Sequence, residues 1–168
     1  MSYKIIDNFL PVEDFKRLQK LVMYDVPWFF QHQINAVHTL DDNTSYFTHI
    51  LYDYEGWPQL YSDYFRQFKI LSDRLKIVSL IRMKLNLYPK TEKIEMHHPH
   101  IDYEMSHKAC VLSFNTCNGN TLLYDEQGNY DKIESIENRA VLFDASKKHA
   151  STSCTNAKAR WNVNINYV

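Results

Sequence analysis

The sequence predicts a mainly β fold with N-terminal helices, in which many short strands close into a barrel or a two-sheet jelly roll. Helical spacing of apolar residues is confined to the chain before residue 80, and polarity alternates residue by residue beyond it. A chain of 168 residues has room for one hydrophobic core. We therefore expect a single domain over residues 1–168, with a helix-rich cover at 1–80 and a β core at 81–168.

The N-terminal cover is predicted to contain both extended segments and helices. Tyr3–Phe9 is rich in β-branched and aromatic residues and predicts a strand, and Pro11 favours the start of a helix that runs to about Met23. Residues 28–48 contain aromatic and polar residues without a clear period, which indicates short strands and loops. Residues 59–75 return to helical spacing, so we expect a second helix there.

The C-terminal part of the chain carries the strand signals. In Ile81–Tyr88 the apolar residues occupy odd positions, so the two faces of this strand have different environments. Turn signals such as Asn118-Gly119 and Gln127-Gly128-Asn129 separate the later segments. The further strands that we predict are His107–Asn115, Asn120–Tyr124, Asp131–Glu134, Arg139–Phe143 and Ala159–Tyr167.

Charge and hydropathy argue against several kinds of partner. Lys and Arg number 19 against 20 for Asp and Glu, so there is no global positive field to hold nucleic acid. No apolar stretch approaches the roughly 18 residues of a membrane span. The first residues carry an acid where a signal peptide needs an uninterrupted apolar region, so we expect a cytoplasmic protein without a membrane partner. Cys110, Cys117 and Cys154 lack C-x-x-C spacing, which argues against a disulfide framework and a zinc knuckle.

A His-rich segment supplies a candidate metal site. In His100-Ile101-Asp102, an imidazole and a carboxylate two residues apart would project from the same face of a strand. His149 follows the apolar strand 140–143 and offers a second imidazole from a distant part of the chain. Two imidazoles and one carboxylate form the facial triad of non-haem iron oxygenases, which leaves metal positions open. His97 and His98 are alternative ligands, although their use would discard the carboxylate.

An arginine on the last predicted strand indicates an anionic ligand. Arg160 follows His149 along the chain, and strict alternation places Asn162 and Asn164 on the same face of the strand as Arg160. An arginine inside a barrel is costly unless its charge meets a carboxylate. A dicarboxylate cosubstrate would satisfy the fork of guanidinium donors through a bidentate pair. The alternatives are an exposed arginine at a strand edge and one that is paired with Asp or Glu.

Several motifs follow one another in order between Arg82 and Val168. They are Leu85–Pro89, His100-x-Asp102, Leu112–Asn115, Gly119–Thr121, Asn138–Asp144, His149–Ser151 and Arg160. Together they make the chain resemble the 2-oxoglutarate/Fe(II) oxygenases, and more narrowly the branch that is similar to prolyl 4-hydroxylases. The resemblance implies that the predicted jelly roll is a double-stranded β-helix, a cupin-like barrel.

The resemblance also implies cofactors and roles for the site residues. Fe(II) would be bound by His100, Asp102 and His149, and 2-oxoglutarate and O2 would be cosubstrates, with ascorbate in a supporting role. Arg160 would hold the distal carboxylate of 2-oxoglutarate, and Tyr88 would donate a hydrogen bond to the same group.

Two further residues belong to the expected cosubstrate site. Asn164 shares the strand face of Arg160. Ser113 stands two residues before Asn115, where the resembling family often has a tyrosine. A second departure is Gly119-Asn120, where that family has a Gly-Gly pair. These departures affect the details of cosubstrate contacts and leave the metal ligands unchanged.

The implied activity is the oxidative decarboxylation of 2-oxoglutarate coupled to hydroxylation of a substrate, with a protein or peptide side chain such as proline favoured. Two alternatives within the same superfamily are a nucleic-acid demethylase and a small-molecule hydroxylase. A third alternative, from another class, is a non-catalytic metal-binding jelly-roll module. The aromatic segments Trp28-Phe29-Phe30 and Trp57-Pro58 are expected either to line a substrate lid or to pack in the core.

Overall fold

A computed structural model describes residues 2–32, 45–54 and 60–168 of the chain. Helix α1 (Val12–Lys20) continues as a π-helical turn at Leu21–Asp25, and helix α2 (Lys69–Leu75) follows a 3-10 turn at Phe65–Phe68. The strands are β1 (Tyr3–Ile6), β2 (Phe29–Gln31), β3 (Tyr46–Asp53), β4 (Leu60–Tyr61), β5 (Leu80–Pro89), β6 (Lys108–Ser113), β7 (Cys117–Tyr124), β8 (Tyr130–Ser135), β9 (Ala140–Asp144), β10 (His149–Ser151) and β11 (Ala159–Tyr167). Within the described residues, no helix is long and apolar enough to cross a membrane.

Most of these strands form one antiparallel sheet, which we call the major sheet. Its order is β1-β9-β6-β11-β5-β3-β2, and β4 also pairs with β3. A smaller antiparallel sheet, the minor sheet, has the order β10-β7-β8. Strand β11 lies between β5 and β6, with Arg160 opposite Tyr88 and Asn162 opposite Ser113. The mainly β class with two sheets, predicted from the sequence, is confirmed.

An irregular segment, residues 95–100, runs beside β10 and extends the minor sheet. His97 N donates a hydrogen bond to Ser151 O at 2.9 Å. His100 and His149 exchange both of their backbone hydrogen bonds, each at 2.9 Å. Residues that are directly opposite in an antiparallel pair present their side chains on the same face. This pairing therefore places two imidazoles side by side from distant parts of the chain.

The helices pack against one face of the major sheet. Phe15 and Leu18 of α1 and Leu71 of α2 belong to the same hydrophobic cluster as Val163 and Ile165 of β11. All five side chains are buried. Because side chains alternate along a strand, the residues between these on β11 face the other side of the sheet. The helical face predicted between residues 11 and 23 is therefore a packing surface.

A second, smaller hydrophobic cluster joins the two sheets. Its members come from β6 and β9 of the major sheet and from β7 and β8 of the minor sheet, and they include Val111, Leu123, Ile133, Val141 and Phe143. Val111 lies opposite Asn164 in the register of β6 and β11. The cluster therefore borders the polar face of β11.

The N-terminal part contains both the extended segments and the helices that the sequence predicts, and two of these elements have different bounds. Besides its helices, this part contributes strands β1 to β4 to the major sheet, and the first strand ends at Ile6, before a turn in which Asn8 has a φ of 50°. The helix expected at 59–75 is present only over its second half. Ser62 N donates to Leu51 O at 3.0 Å, so strand pairing satisfies this part of the backbone and overrides the helical spacing.

The strands predicted after residue 80 are all present, with boundaries shifted by at most a few residues. Strand β10 was not predicted, because three residues are too few to show a period. The cysteines Cys110, Cys117 and Cys154 are free and buried.

Candidate active site

A cavity between the two sheets collects most of the residues that the sequence predicted for the site. The major sheet lines it with polar side chains of β5 and β11, and the minor sheet lines it with residues of β7 and β10. His100, Asp102 and His149 border this cavity together with Tyr88 and Arg160. Side chains from distant parts of the sequence therefore converge on one cavity, as the polar groups of a ligand site commonly do.

His100, Asp102 and His149 are close enough to share one metal ion. One ligand atom of each lies within 4.8 Å of the other two. His100 Nε2 is 3.7 Å from Asp102 Oδ1, and His149 Nε2 is 3.4 Å from Asp102 Oδ2. Two imidazole nitrogens and one carboxylate form the donor set of a facial triad. In the part of the chain that the structure describes, this is the one such group of His, Cys, Asp or Glu side chains.

Backbone carbonyls orient both imidazoles. Nδ1 of His100 is 3.3 Å from His98 O, and Nδ1 of His149 is 3.0 Å from Lys147 O. A ring that donates through Nδ1–H keeps the lone pair of Nε2 free for a metal. His149 Nε2 is buried without a hydrogen-bond partner, as expected for an atom that a metal would satisfy. Desolvation and the neighbouring His149 lower the pKa of His100 to about 4, so this ring is neutral at neutral pH.

Three side chains hold the carboxylate of Asp102. Arg82 Nη2 donates to Oδ1 at 2.9 Å, and the amides of Asn166 and Asn164 donate to Oδ2 at 2.7 Å and 3.2 Å. Burial alone would raise the pKa of Asp102, but His149, Arg82 and Asn166 outweigh it and hold the pKa well below its usual range. The carboxylate is therefore ionised and fixed in orientation.

The backbone at His100–Asp102 differs from the predicted strand. His100 forms an isolated bridge with His149, and Asp102 lies in a bend whose backbone N–H donates to Ala145 O at 3.4 Å. The expectation that strand alternation aligns the two side chains was wrong. Pairing with β10 places His100, and the donors from the major sheet place Asp102. The imidazole and the carboxylate are nevertheless neighbours.

The guanidinium of Arg160 is buried, with 1% of the residue exposed. Nε donates to Ser135 Oγ at 2.7 Å, Nη2 to Thr121 Oγ1 at 2.9 Å and Nη1 to Thr152 O at 3.4 Å. None of the ion pairs found among the described residues includes Arg160. Within the described part of the chain, the structure therefore supports neither an exposed Arg160 nor an Arg160 that is paired with Asp or Glu. A buried guanidinium without an anion is costly, which favours an anionic ligand.

Tyr88 and His97 lie at the Arg160 end of the cavity. The Tyr88 ring centroid is 5.6 Å from Arg160 Cζ, and the ring stacks on Tyr46 at a centroid distance of 5.4 Å. His97 packs against Tyr88 at 5.1 Å, and its Nδ1 is 2.6 Å from Ser151 Oγ. Neither His97 nor His98 belongs to the metal-binding group, so their role as alternative ligands is not supported.

The other predicted residues have different environments. Asn164 lines the cavity, but its amide is bound to Asp102 and so lies at the metal end. Ser113 is buried opposite Asn162 and is not part of the cavity lining, so its placement gives no support to the predicted cosubstrate contact. Trp28 packs partly against the main hydrophobic cluster, whereas Phe29 and Phe30 are exposed. Trp57-Pro58 lies outside the described residues.

Sequence reasoning missed several polar residues of the site. Arg82, Lys84 and Asn86 share the even-numbered face of β5 with Tyr88. Lys84 and Asn86 line the cavity, and Arg82 reaches Asp102. The alternation along β5 could have identified all three, because they lie on the same face as the predicted Tyr88.

The comparison with solved structures finds close similarity of fold at low sequence identity, although no protein-family model and no curated protein sequence matches the chain. One similar structure is a prolyl hydroxylase from Trichoplax adhaerens in complex with a hypoxia inducible factor oxygen degradation domain peptide fragment. It superposes with a TM-score of 0.70 at 17% sequence identity, and the match covers 98% of this chain and 82% of that chain. A 2OG-Fe(II) oxygenase family oxidoreductase from Burkholderia pseudomallei gives a TM-score of 0.74 at 11% sequence identity, and the match covers 98% of this chain and 84% of that chain. HygX from Streptomyces hygroscopicus, with nickel and 2-oxoglutarate bound, gives a TM-score of 0.65 at 8% sequence identity. This match covers 98% of this chain and 82% of that chain.

The fold is therefore that of the 2-oxoglutarate/Fe(II) oxygenases, the double-stranded β-helix that the sequence predicts. Prolyl hydroxylases are among the similar structures, in agreement with the branch that the sequence resembles. In the cavity of this fold the chain carries a His-Asp-His group that could hold a metal ion.

Proposed function

We propose that this protein is a non-haem iron oxygenase that couples the oxidative decarboxylation of 2-oxoglutarate to the hydroxylation of a substrate. The observation that carries the proposal is the buried guanidinium of Arg160, which has no carboxylate partner among the described residues and lines the same cavity as His100, Asp102 and His149. A dicarboxylate bound at both places would satisfy the guanidinium and the metal together.

In this proposal His100, Asp102 and His149 hold Fe(II). The free Nε2 of His149 and the ionised carboxylate of Asp102 are suitable donors for a divalent metal. When bound, iron with 2-oxoglutarate and O2 supplies the oxidation of a substrate C–H bond, with ascorbate in a supporting role. Arg82 keeps Asp102 ionised and oriented, as the partners of metal ligands commonly do.

Arg160 and Tyr88 bind the distal carboxylate of 2-oxoglutarate in this proposal. Ser135 and Thr121 fix the plane of the guanidinium through hydrogen bonds of 2.7 Å and 2.9 Å. The Tyr88 ring lies against the guanidinium, and its stacking on Tyr46 limits its motion. A fixed guanidinium loses little freedom when it binds a carboxylate, which favours affinity.

The favoured substrate is a side chain of a protein or peptide, such as proline. Support comes from the similarity to the Trichoplax adhaerens prolyl hydroxylase, whose structure contains a peptide fragment. Phe29 is exposed on β2, at the edge of the major sheet and opposite Thr48, and offers an apolar side chain on which a peptide could pack. The cytoplasmic location stays a prediction from the sequence.

Binding of 2-oxoglutarate to metal-loaded protein tests the role of Arg160. Arg160→Lys keeps the charge but loses the planar pair of donors, and Arg160→Ala loses both. We expect the dissociation constant to rise in that order, by at least about 30-fold for alanine, since truncating one partner of a buried charged pair costs on the order of 2–5 kcal/mol. Calorimetry on protein loaded with zinc or nickel measures this constant without turnover.

Arg139 provides a matched control for these variants. Its guanidinium pairs with the exposed Asp7, at 2.6 Å from Nε to Oδ1, and it does not line the cavity. Arg139→Ala should leave the affinity for 2-oxoglutarate unchanged. Metal affinity without 2-oxoglutarate should hardly change in Arg160→Ala, because Arg160 is not a ligand in this proposal. Unchanged 2-oxoglutarate affinity in folded, metal-loaded Arg160→Ala protein would contradict the proposed function.

Turnover separates an oxygenase from a metal-binding module. With Fe(II), O2 and ascorbate, we expect the protein to convert 2-oxoglutarate slowly to succinate and carbon dioxide, and faster when a proline-containing peptide is accepted. Methylated oligonucleotides and free amino acids in the same assay test the other substrate classes of the superfamily. Absence of succinate from protein that has bound both iron and 2-oxoglutarate would rule out the enzymatic assignment.

A further inference from the structure

We propose that Lys84 binds a carboxylate of the primary substrate, so that the substrate is an acid or carries an acidic side chain. The inference rests on the proposed function and deepens it by naming the chemical class of the substrate. It starts from the placement of Lys84 on β5, where its side chain lines the same cavity as His100 and Asp102. None of the roles assigned above uses this ammonium group.

Lys84 lies at the metal end of the cavity. In the register of β5 and β11 it is opposite Asn164, whose amide donates to Asp102 Oδ2 at 3.2 Å. Tyr88, which is opposite Arg160, lies farther along the same face of β5. At a rise of about 3.4 Å per residue, the Cα positions of Lys84 and Tyr88 are separated by roughly 14 Å. The ammonium of Lys84 contacts the Tyr46 ring and the guanidinium of Arg160 contacts the Tyr88 ring, so the two charged groups lie against different members of this stacked pair.

The ammonium group of Lys84 has no counter-charge within the described part of the chain. None of the ion pairs found there includes Lys84. Its Nζ lies 5.8 Å from the centroid of the Tyr46 ring, which is a cation–π contact and brings no net negative charge. The carboxylate of Asp102 is already held by Arg82, Asn164 and Asn166.

Burial makes this positive charge costly unless an anion joins it. Desolvation and the positive charge of Arg82 lower the pKa of Lys84 to about 8, and the negative charges of Asp102 and Asp53 only partly oppose them. A carboxylate next to Nζ would restore the charged form by direct attraction. Lysine is a compact point charge with rotatable donors, so it can meet a carboxylate from several directions.

The cosubstrate does not account for this charge in the proposed function. One carboxylate of 2-oxoglutarate is assigned to Arg160 and the other end of the molecule to the metal. Lys84 then remains available to the third component of the reaction, the substrate. If Lys84 instead served the cosubstrate, its substitution would weaken the binding of 2-oxoglutarate, so the two assignments differ in a quantity that can be measured.

A titration with acetate and acetamide tests the assignment, because the two molecules have nearly the same shape and differ in charge. The protein is loaded with zinc and 2-oxoglutarate, and binding is followed by NMR through the backbone amides of Lys84 and Asn164. We expect acetate to bind about tenfold more weakly to Lys84→Met than to the parent, and acetamide to bind both equally. Lys84→Arg keeps the charge and should stay within about threefold of the parent.

Lys108→Met is the matched control, since Lys108 is exposed on β6 and also lacks an ion pair among the described residues. It removes the same charge and should leave acetate binding unchanged. The same NMR spectra show whether each variant is folded. N-acetylaspartate amide, titrated in parallel, presents the carboxylate on a peptide. Tighter binding of this probe than of acetate supports an acidic peptide, and equal binding supports a small acid.

Two results would overturn the proposal. One is acetate binding that is the same in Lys84→Met and in the parent. The other is a loss of 2-oxoglutarate affinity in Lys84→Met, measured by calorimetry on the zinc-loaded protein, which would assign Lys84 to the cosubstrate. Failure of the proposed function has a different signature, because the parent itself would then not bind 2-oxoglutarate.

Discussion

Arg82 and Asp102 form an ion pair of 2.9 Å between Nη2 and Oδ1, and this carboxylate is the acidic member of the candidate metal site. The same Nη2 donates to Asn166 Oδ1 at 3.3 Å, while the Asn166 amide donates to Asp102 Oδ2 at 2.7 Å. Arg82 and Asn166 are opposite each other in β5 and β11. The register of two central strands therefore fixes the orientation of a carboxylate that lies outside both.

Substitution of Arg82 should weaken metal binding although Arg82 is not a ligand. We expect Arg82→Met to lower the affinity for zinc by about 10- to 100-fold, because Asp102 loses the donor that holds one of its oxygens. Competition with a chelator measures this affinity, and the absorption spectrum of cobalt-loaded protein reports any change in the ligand geometry. Arg139→Met, which breaks the surface pair with Asp7, is the control. Parent-like zinc affinity in Arg82→Met would mean that Asp102 is positioned without Arg82.

Each member of the His-Asp-His group should be required for tight metal binding. Replacing His100, Asp102 or His149 with alanine removes one of three donors, whereas the hydrophobic cluster between the helices and the major sheet contains none of them. We expect each variant to lose tight iron binding and to keep a parent-like circular dichroism spectrum. Anaerobic calorimetry with Fe(II) measures the iron affinity of each variant. If all three variants bound iron like the parent, the triad assignment would be wrong.

Gly119 leaves the space that the Arg160 side chain occupies. A Cβ at Gly119 would lie 2.8 Å from Arg160 Cδ and 2.8 Å from Ser153 O. Because Ser153 O belongs to the backbone, relief of this clash must displace Arg160 or the chain around it. We expect Gly119→Ala to weaken 2-oxoglutarate binding by about tenfold or more, since small displacements of a positioning group have large effects. Calorimetry on zinc-loaded protein measures the loss.

Gly128 offers the control for this substitution. A Cβ there would meet nothing within 4 Å, and its φ of +87° is one that asparagine adopts more readily than other residues. Gly128→Asn should therefore keep the parent's affinity for 2-oxoglutarate, and metal affinity should be nearly unchanged in both variants. Gly119→Ala protein with unaltered 2-oxoglutarate affinity would show that Arg160 does not need this space.

Local periodicity was sufficient to predict one wall of the cavity. Arg160, Asn162 and Asn164 alternate with apolar residues on β11, and the structure places all three at the cavity. Tyr88 is at the cavity for the same reason on β5. The direction of a side chain in a regular strand follows from its position in the sequence, so the faces of these strands could be read without a structure.

The features that could not be predicted depend on pairing between distant residues. His100 and Asp102 become neighbours through bonds to His149 and to the major sheet, although they do not share a strand. Residues 60–62 pair with β3 in spite of their helical spacing. Hydrophobic periodicity reports only local preferences, and long-range backbone hydrogen bonds override it wherever the two conflict.

His97 should make the stability of the ligand-free protein depend on pH. The residue is 5% exposed, and desolvation, followed by the positive charge of Arg160, lowers its pKa from 6.5 to about 3. The unfolded chain therefore binds more protons than the folded chain between about pH 6.5 and pH 3. The free energy of unfolding consequently falls as the pH falls through this window, and His97 contributes about 2 kcal/mol of the loss between about pH 7 and pH 5.

Removal of the titrating ring should flatten this dependence. His97→Asn keeps a polar atom near the position of Nδ1, which is 2.6 Å from Ser151 Oγ, but it cannot be protonated in this range. We expect the difference in unfolding free energy between about pH 7 and pH 5 to shrink by roughly 2 kcal/mol, as measured by urea denaturation of metal-free protein. If His97→Asn lost stability with falling pH as steeply as the parent, the loss would have to come from other groups, and His97 would not be held neutral by its burial.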